Sequence, residues 1–168
     1  IQVEPSRFFH GIKNKIESQH QGYSAAWKGR DLLTEEKHQS FVSKSPFSDL
    51  VAHDLVQQYL PEDSVLHLAN STAVRYAQLF NQISGISHFS NRGTSGIDGS
   101  SSTALGMAIK SDKTVTLLTG DMSFYYDSNA YWNNYVPSNL KVILFNNSGG
   151  GIFRIIPGPD STNQLETY

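Results

Sequence analysis

Cysteine is absent from the 168 residues, which excludes disulfides, thiolate zinc sites and cysteine nucleophiles and is compatible with a cytoplasmic protein. An excess of either charge is missing too: 13 Lys and Arg face 15 Asp and Glu, a net charge of −2. That leaves no basic stripe for nucleic acid and no electrostatic attraction to anionic lipid. No apolar run approaches the roughly twenty residues that span a bilayer, and no signal pattern opens the chain. Internal repeats and low-complexity tracts are lacking. Six histidines (His10, His20, His38, His53, His67 and His88) occur without any metal-ligand spacing, so none is assigned chemistry, although His88 lies close to a loop discussed below.

What is present suits an α/β domain built on a single core, with 38% hydrophobic residues. The chain starts at Ile1 without a methionine, and Gln164–Tyr168 stops without a helix cap, so we expect a piece of a longer protein. Residues 1–44 read as the end of a preceding domain and a linker. They contain a short amphipathic helix from Pro5 to about Glu17 and a polar helix from Ala25 to Val42. Residues 45–168 read as the clearer domain. Ser45-Pro46 opens a helix whose stripe is Leu50, Val51, Leu55 and Tyr59. Ser64–Leu68 is a strand candidate, and Ser71 caps a helix running to about Asn81. A short strand lies near Ser87-His88-Phe89. Another helix spans Gly99 to Lys110, with Ala104, Leu105, Ala108 and Ile109 facing inward. Strands alternating with helices predict a doubly wound parallel sheet flanked by helices.

Two clusters stand out at strand ends. Thr114–Thr119 leads into Gly120-Asp121-Met122-Ser123, and Leu140–Phe145 leads into Asn146-Asn147-Ser148-Gly149-Gly150-Gly151. Phe124 to Tyr135 has the length of one connecting helix. A strand–helix–strand unit brings both clusters to the carboxyl edge of the sheet, where open α/β sheets bind ligands. Taken singly, each cluster is also ordinary turn chemistry.

Together they suit a hard cation and a phosphate ester. Magnesium takes about six oxygens near 2.0–2.1 Å, usually a few from protein and the rest from phosphate and water. Asp121 offers an anionic oxygen, Asn147 a neutral side-chain oxygen and Gly149 a backbone carbonyl. The glycine run lets backbone approach a ligand closely. Ser123, in the first turn of the following helix, can offer its N–H and hydroxyl to a phosphate oxygen.

Twenty-five residues separate Asp121 from Asn147, and this arrangement resembles the metal–diphosphate motif of thiamin diphosphate enzymes, though Met122 stands where glycine is frequent. Asn91-Arg92-Gly93-Thr94-Ser95-Gly96-Ile97-Asp98-Gly99 narrows the resemblance. It is similar to the Asn-Arg-Gly-x-Ser-Gly-Ile-Asp-Gly signature of the 2-succinyl-5-enolpyruvyl-6-hydroxy-3-cyclohexene-1-carboxylate synthases, the MenD family of menaquinone biosynthesis. Asn70-Ser71-Thr72-Ala73-Val74-Arg75 resembles that family's Asn-Ser-x-x-x-Arg segment, and Gly149–Phe153 with Pro157 resembles its Gly-Gly-x-Ile-Phe segment. The resemblance covers roughly Phe47 to Pro159.

The resemblance implies thiamin diphosphate with Mg2+ or Mn2+ as cofactors, and 2-oxoglutarate and isochorismate as substrates. The implied reaction decarboxylates 2-oxoglutarate and adds the succinyl semialdehyde unit to isochorismate. The implied full-length assembly is a homodimer or homotetramer. Metal ligands would be Asp121, Asn147 and Gly149. Cofactor contacts would come from Ser71, Ser95, Gly96, Ile97, Gly120, Ser123 and Gly150. Arg75 and Arg92 would hold substrate carboxylates, and Ile152, Phe153 and Ile156 would wall the substrate pocket. In that family a glutamate of the partner chain's pyrimidine-binding domain activates the cofactor, so no residue here is named catalytic and the fragment alone is expected to be inactive. By default, Arg75 and Arg92 are surface ion-pair partners, Ser71 a helix cap and the isoleucines core. Asp98 reads as a turn or cap residue for the helix after Gly99, and Asp127 as serving its own helix. Two other readings stay open: the diphosphate domain of an acetolactate synthase or 2-oxo acid decarboxylase, and a non-catalytic α/β interaction module.

Overall fold

The computed structural model describes residues 3–13, 15, 16 and 21–163. Two compact units are present, Ile1–Ser45 and Pro46–Tyr168. The first contains α1 (Pro5–Lys13) and α2 (Gln21–Lys44), and leaves Phe8, Phe9, Trp27, Leu32 and Phe41 exposed. The expected end of α1 at Glu17 lies outside the described residues, as does Gln164–Tyr168. Ser45 does not cap the next helix. Its hydroxyl donates back to the Phe41 carbonyl at 2.8 Å, closing α2 instead.

In the second unit α3 (Asp49–Gln58) follows Ser48, whose backbone is extended. Then come β1 (Val65–Leu68), α4 (Thr72–Ala77), β2 (Ser87–Ser90), α5 (Ser100–Lys110), β3 (Val115–Gly120), α6 (Asp121–Tyr126) and β4 (Leu140–Phe145). The strands form one parallel sheet in the order β2-β1-β3-β4. This is the expected doubly wound α/β fold. Alternation along the strands sorts the core into two faces. Leu66, Leu68 and Leu118 pack with Ala73 and Val74 of α4, with Val56 of α3 and with Ile143 and Phe145. On the opposite face Val65 and Val115 pack with Ala108 of α5 and Leu140. Among the described residues no helix is long and apolar enough to cross a membrane.

Four helix expectations need correction. The buried positions of α3 are His53 and Gln57, with Val56 and Leu60 packed beside them, while Leu55 and Tyr59 are exposed. The stripe is therefore turned from the one expected, because a buried histidine replaces an aliphatic anchor. Helix α4 stops at Ala77, where Leu79 N–H and Phe80 N–H bond three residues back and tighten the last turn. Ile109 is 43% exposed, since the inward positions of α5 are Ser101, Ala104, Leu105 and Ala108. Lastly, Phe124–Tyr135 is not one helix: α6 ends at Tyr126, and Ser128–Tyr131 is a separate 3-10 turn.

Asp127 explains that break. Its carboxylate accepts from the Ser102 N–H at 2.6 Å and from the Ser102 hydroxyl at 2.7 Å, so it caps α5 rather than its own helix. The N-cap position of α5 is Gly99, which has no side chain to do this. Asp98 does not cap α5 either. It lies against Gly96, where any Cβ would collide with its carboxylate.

His53 makes stability depend on pH. It is buried and stacked on Phe145 with ring centroids 4.0 Å apart, and its Nδ1 donates to the Asp49 carbonyl at 2.7 Å. Its Nε2 is buried without a hydrogen-bond partner. Burial lowers its pKa, outweighing the raising effect of Asp49. The unfolded chain, with a pKa of about 6.5, therefore binds a proton before the folded chain does. Stability is fully present above that value and is lost as pH falls below it towards the folded pKa. Thermal denaturation should show the melting temperature dropping between about pH 7 and pH 5, and less steeply in His53→Phe. Parallel pH profiles for the two proteins would contradict this origin.

Candidate functional site

The strand order reverses between β1 and β3: the chain goes from β1 outward to β2, then returns to β3 and continues to β4. In open parallel sheets the crevice at the carboxyl ends beside such a reversal is where ligands bind. Asn70 and Ser71 follow β1, the Arg92 loop follows β2, Asp121 follows β3 and the glycine-rich loop follows β4. All the expected site segments thus leave the same edge of the sheet.

Hydrogen bonds lace these loops together. Asn70 Nδ2 donates to the Asn91 carbonyl at 2.7 Å and also to the Gly96 carbonyl. The Ser123 hydroxyl donates to the Ile97 carbonyl at 2.6 Å. Asp121 Oδ2 accepts from the Gly149 N–H at 2.8 Å, and Oδ1 from the Met122 N–H at 2.7 Å. Each link is a side chain bonded to backbone, which ties four otherwise separate loops into one surface.

The register brings Asp121 and the β4 loop together. Gly120 pairs with Phe145 at the ends of adjacent strands, which in a sheet lie about 4.8 Å apart. The β4 loop then turns sharply through Ser148 and Gly149, both at positive φ. Gly151 packs closely beside Asn147: a Cβ there would sit 3.1 Å from the Asn147 amide nitrogen, a tight contact. Gly150 lies under the Phe153 ring, 2.9 Å from where a Cβ would be. Ile152 is half-buried, whereas Phe153 and Ile156 are exposed. By default these would be core residues; the structure leaves two of the three uncovered.

Strain concentrates here. Among the described residues four non-glycine positions have positive φ: Ser71, Ser95 and Ser148 belong to the edge loops, with Asp63 elsewhere. Such conformations cost about 1–3 kcal/mol each, persist where the surrounding structure holds them and are often found at functional sites. Ser71 occupies the N-cap position of α4 but makes no side-chain cap bond, so the expected capping role is not observed. Ser123 also departs from expectation. Its hydroxyl proton goes to the Ile97 carbonyl, so of the two donors expected for a phosphate oxygen the first-turn N–H is the one not used in that bond.

Arg92 and Ser95, expected to contact substrate and cofactor respectively, touch each other: Arg92 Nη1 donates to Ser95 Oγ at 3.0 Å. A guanidinium has five N–H donors, so this bond leaves a face for a carboxylate. Arg75 is exposed one turn into α4, its N–H bonded to the Ser71 carbonyl at 3.3 Å.

The donor set present here would suit a divalent cation bound together with a diphosphate. Among the described residues no group of three His, Cys, Asp or Glu comes together. A cation here would take one carboxylate, from Asp121, with neutral oxygens from Asn147 and Gly149, and would need ligand phosphates to fill its shell. Both Asp121 oxygens keep a second lone pair after bonding Met122 and Gly149. Asn70 Oδ1 is a buried atom without a hydrogen-bond partner in the same region. An apolar cleft of about 430 Å3, lined in part by Leu55, Tyr59, Thr116 and Ile143, lies towards the amino ends of β3 and β4, away from this chemistry.

Three residues at this edge received no role from the sequence: His67, Asn70 and Asn91. Asn70 and Asn91 each begin a motif, which was the available signal. His67 gave none, because only the fold brings it to the loop after β2.

Reversed strand order, edge loops and a single-carboxylate donor set define a doubly wound parallel α/β domain laid out like thiamin diphosphate-binding domains. No protein-family model matches the chain. Individual proteins do. The 2-succinyl-5-enolpyruvyl-6-hydroxy-3-cyclohexene-1-carboxylate synthase of Christiangramia forsetii is 51% identical over 134 residues, covering 80% of this chain and 23% of that protein. The enzyme of the same name from Flavobacterium psychrophilum is 49% identical over 168 residues, covering 100% of this chain and 30% of the relative. That from Flavobacterium johnsoniae is 46% identical over 166 residues, 99% and 30% respectively. The chain belongs to the 2-succinyl-5-enolpyruvyl-6-hydroxy-3-cyclohexene-1-carboxylate synthase family. It spans between 23% and 30% of the length of these curated relatives.

Proposed function

We propose that residues 45–168 are the diphosphate- and metal-binding domain of a thiamin diphosphate-dependent synthase, and that residues 1–44 end a preceding domain and its linker. The full enzyme decarboxylates 2-oxoglutarate and adds the succinyl semialdehyde unit to isochorismate, in the cytoplasm and as a homodimer or homotetramer. The observation that carries this is the lacing of four carboxyl-edge loops around Asp121 at the reversal of strand order. Thiamin diphosphate, when bound, supplies the carbon nucleophile that no amino-acid side chain provides.

The protein's part is to bind and orient. Asp121, Asn147 and Gly149 hold Mg2+ or Mn2+. The Ser123 N–H and the Gly120 and Gly150 backbone meet the diphosphate, where small residues permit close approach. Ser71, Ser95, Gly96 and Ile97 line the cofactor beside the crevice. Arg75 and Arg92 grip substrate carboxylates through paired hydrogen bonds. Ile152, Phe153 and Ile156 shield the reacting centre from water, and the exposure of Phe153 and Ile156 suits side chains that await a covering partner.

The test is an assay of a full-length protein carrying this chain. Carbon dioxide release from 2-oxoglutarate should need both thiamin diphosphate and magnesium, and isochorismate should be consumed with it. Pyruvate should be a poor donor. Preferred turnover of pyruvate would favour an acetolactate synthase or 2-oxo acid decarboxylase instead. The 168-residue chain alone should not exceed the free-cofactor background.

A further inference from the structure

His67 sits in β1 with 2% of its surface exposed, and its Nε2 lies 3.0 Å from Asn91 Oδ1. An amide oxygen can only accept, so Nε2 carries the hydrogen and donates it. The opposite nitrogen, Nδ1, is buried and has no hydrogen-bond partner among the described residues, which is compatible with a neutral ring that carries its one hydrogen on Nε2. Burial also lowers the pKa of this imidazole, outweighing the raising effect of Asn91.

That single donor sets the orientation of the Asn91 amide. With Oδ1 turned to His67, Nδ2 faces α5, where it donates to the Gly99 carbonyl at 3.2 Å and to Thr103 Oγ1 at 2.9 Å. The Asn91 main-chain carbonyl meanwhile accepts from Asn70. Asn91 is thus fixed on three sides: to the core of β1, to the first turns of α5 and to the loop after β1. The next residue is Arg92. Its loop is otherwise exposed from Arg92 through Ser95, and Ser95 is held at positive φ.

We propose that His67 is a positioning residue for Arg92. Its Nε2–H locks the Asn91 amide, and the locked amide sets where the neighbouring guanidinium presents itself to a substrate carboxylate. A purely structural role for His67 would require only an apolar ring of similar size, and the hydrogen bond would be incidental. The inference rests on the reading of Arg92 as a carboxylate ligand, and its test separates the two.

In the full-length enzyme, His67→Phe keeps a ring but removes the donor, whereas His67→Gln keeps a side-chain N–H. His67→Phe should raise KM for the substrate held by Arg92 about 10-fold, the effect of losing one hydrogen bond of ordinary strength. Half-saturation by thiamin diphosphate should move less than about 2-fold. His67→Gln should recover most of the loss. In an Arg92→Ala background, His67→Phe should add nothing further to KM. Asn91→Ala, which removes the same link from the loop side together with the bonds to Gly99 and Thr103, should raise KM at least as much as His67→Phe even if the core variant folds poorly. Equal impairment in His67→Phe and His67→Gln would overturn the proposal, as would additive losses with Arg92→Ala or a normal KM in folded Asn91→Ala. Were Arg92→Ala itself to leave every substrate constant unchanged, the reading of Arg92 would fail, and the positioning role with it.

Discussion

Asp121→Ala is expected to weaken magnesium-dependent thiamin diphosphate binding by at least about 100-fold while leaving the fold intact. Substitutions one shell out from a metal typically cost about 10–100-fold, and Asp121 is assigned as the direct and only anionic protein ligand. It sits at the first position of α6, half-exposed and outside both core clusters. Its loss also releases the Gly149 N–H, so the glycine loop should loosen at the same time. Asn147→Ala should act in the same direction but more weakly, because it removes a neutral oxygen. Asp121→Asn is the informative control: it keeps one acceptor and the shape but lowers the charge, and should fall between wild type and alanine. Calorimetric titration of Mg2+ with thiamin diphosphate into each protein measures this. Equal affinity in wild type and Asp121→Ala would remove Asp121 from the site.

Arg92→Ala and Arg75→Ala should impair use of the dicarboxylate substrates far more than cofactor binding. In the proposed site the diphosphate would be neutralised by a divalent cation and by amide donors, whereas a carboxylate in a partly dry crevice would need a cation of its own. Both arginines are exposed in this chain, so the pair becomes buried only when substrate and the covering partner domain are in place. Truncating one partner of such a pair then costs about 2–5 kcal/mol, or roughly 30-fold or more in substrate constants. Lysine should restore little, since an ammonium cannot reproduce a two-pronged grip. Steady-state kinetics against each substrate, alongside a cofactor titration of the full-length enzyme, decides the matter. Lost cofactor affinity with normal substrate constants would place both arginines at the diphosphate instead.

Much of the framework was legible because it rests on local rules. β1, β3 and β4 are short apolar runs closed by turn residues, and α5 follows a glycine with inward positions at helical spacing. Asp121, Asn147 and Arg92 could be named because each ends a strand or opens a motif. What could not be read depends on contacts between distant segments. The stop after Tyr126 comes from Asp127 reaching across to cap α5, twenty-five residues earlier in the chain. The inward face of α3 turns on His53, a polar residue that becomes core by stacking on Phe145. Ser45 carried a convincing cap signal, yet its hydroxyl found a nearer acceptor in the carbonyl of Phe41. His67 is the plainest case: a histidine in an apolar strand has no visible partner until β2 is laid beside β1.

The same distinction separates the parts of the site. The side chains proposed to carry chemistry could be picked out by type and spacing. The groups that hold them in place, Asn70 beneath the Arg92 loop and Ser123 against Ile97, are ordinary polar residues whose roles exist only in three dimensions.

Asp121 and the Asn147–Gly149 loop are proposed to hold a divalent metal beside thiamin diphosphate. Manganese can replace magnesium and scatters anomalously, so a crystal of the full-length protein grown with Mn2+ and thiamin diphosphate tests it directly. We expect one anomalous peak bonded to Asp121, Asn147 and the Gly149 carbonyl, with two diphosphate oxygens and a water completing the shell. A manganese peak bonded to other residues, or ordered thiamin diphosphate with its phosphates away from this loop, would contradict the account.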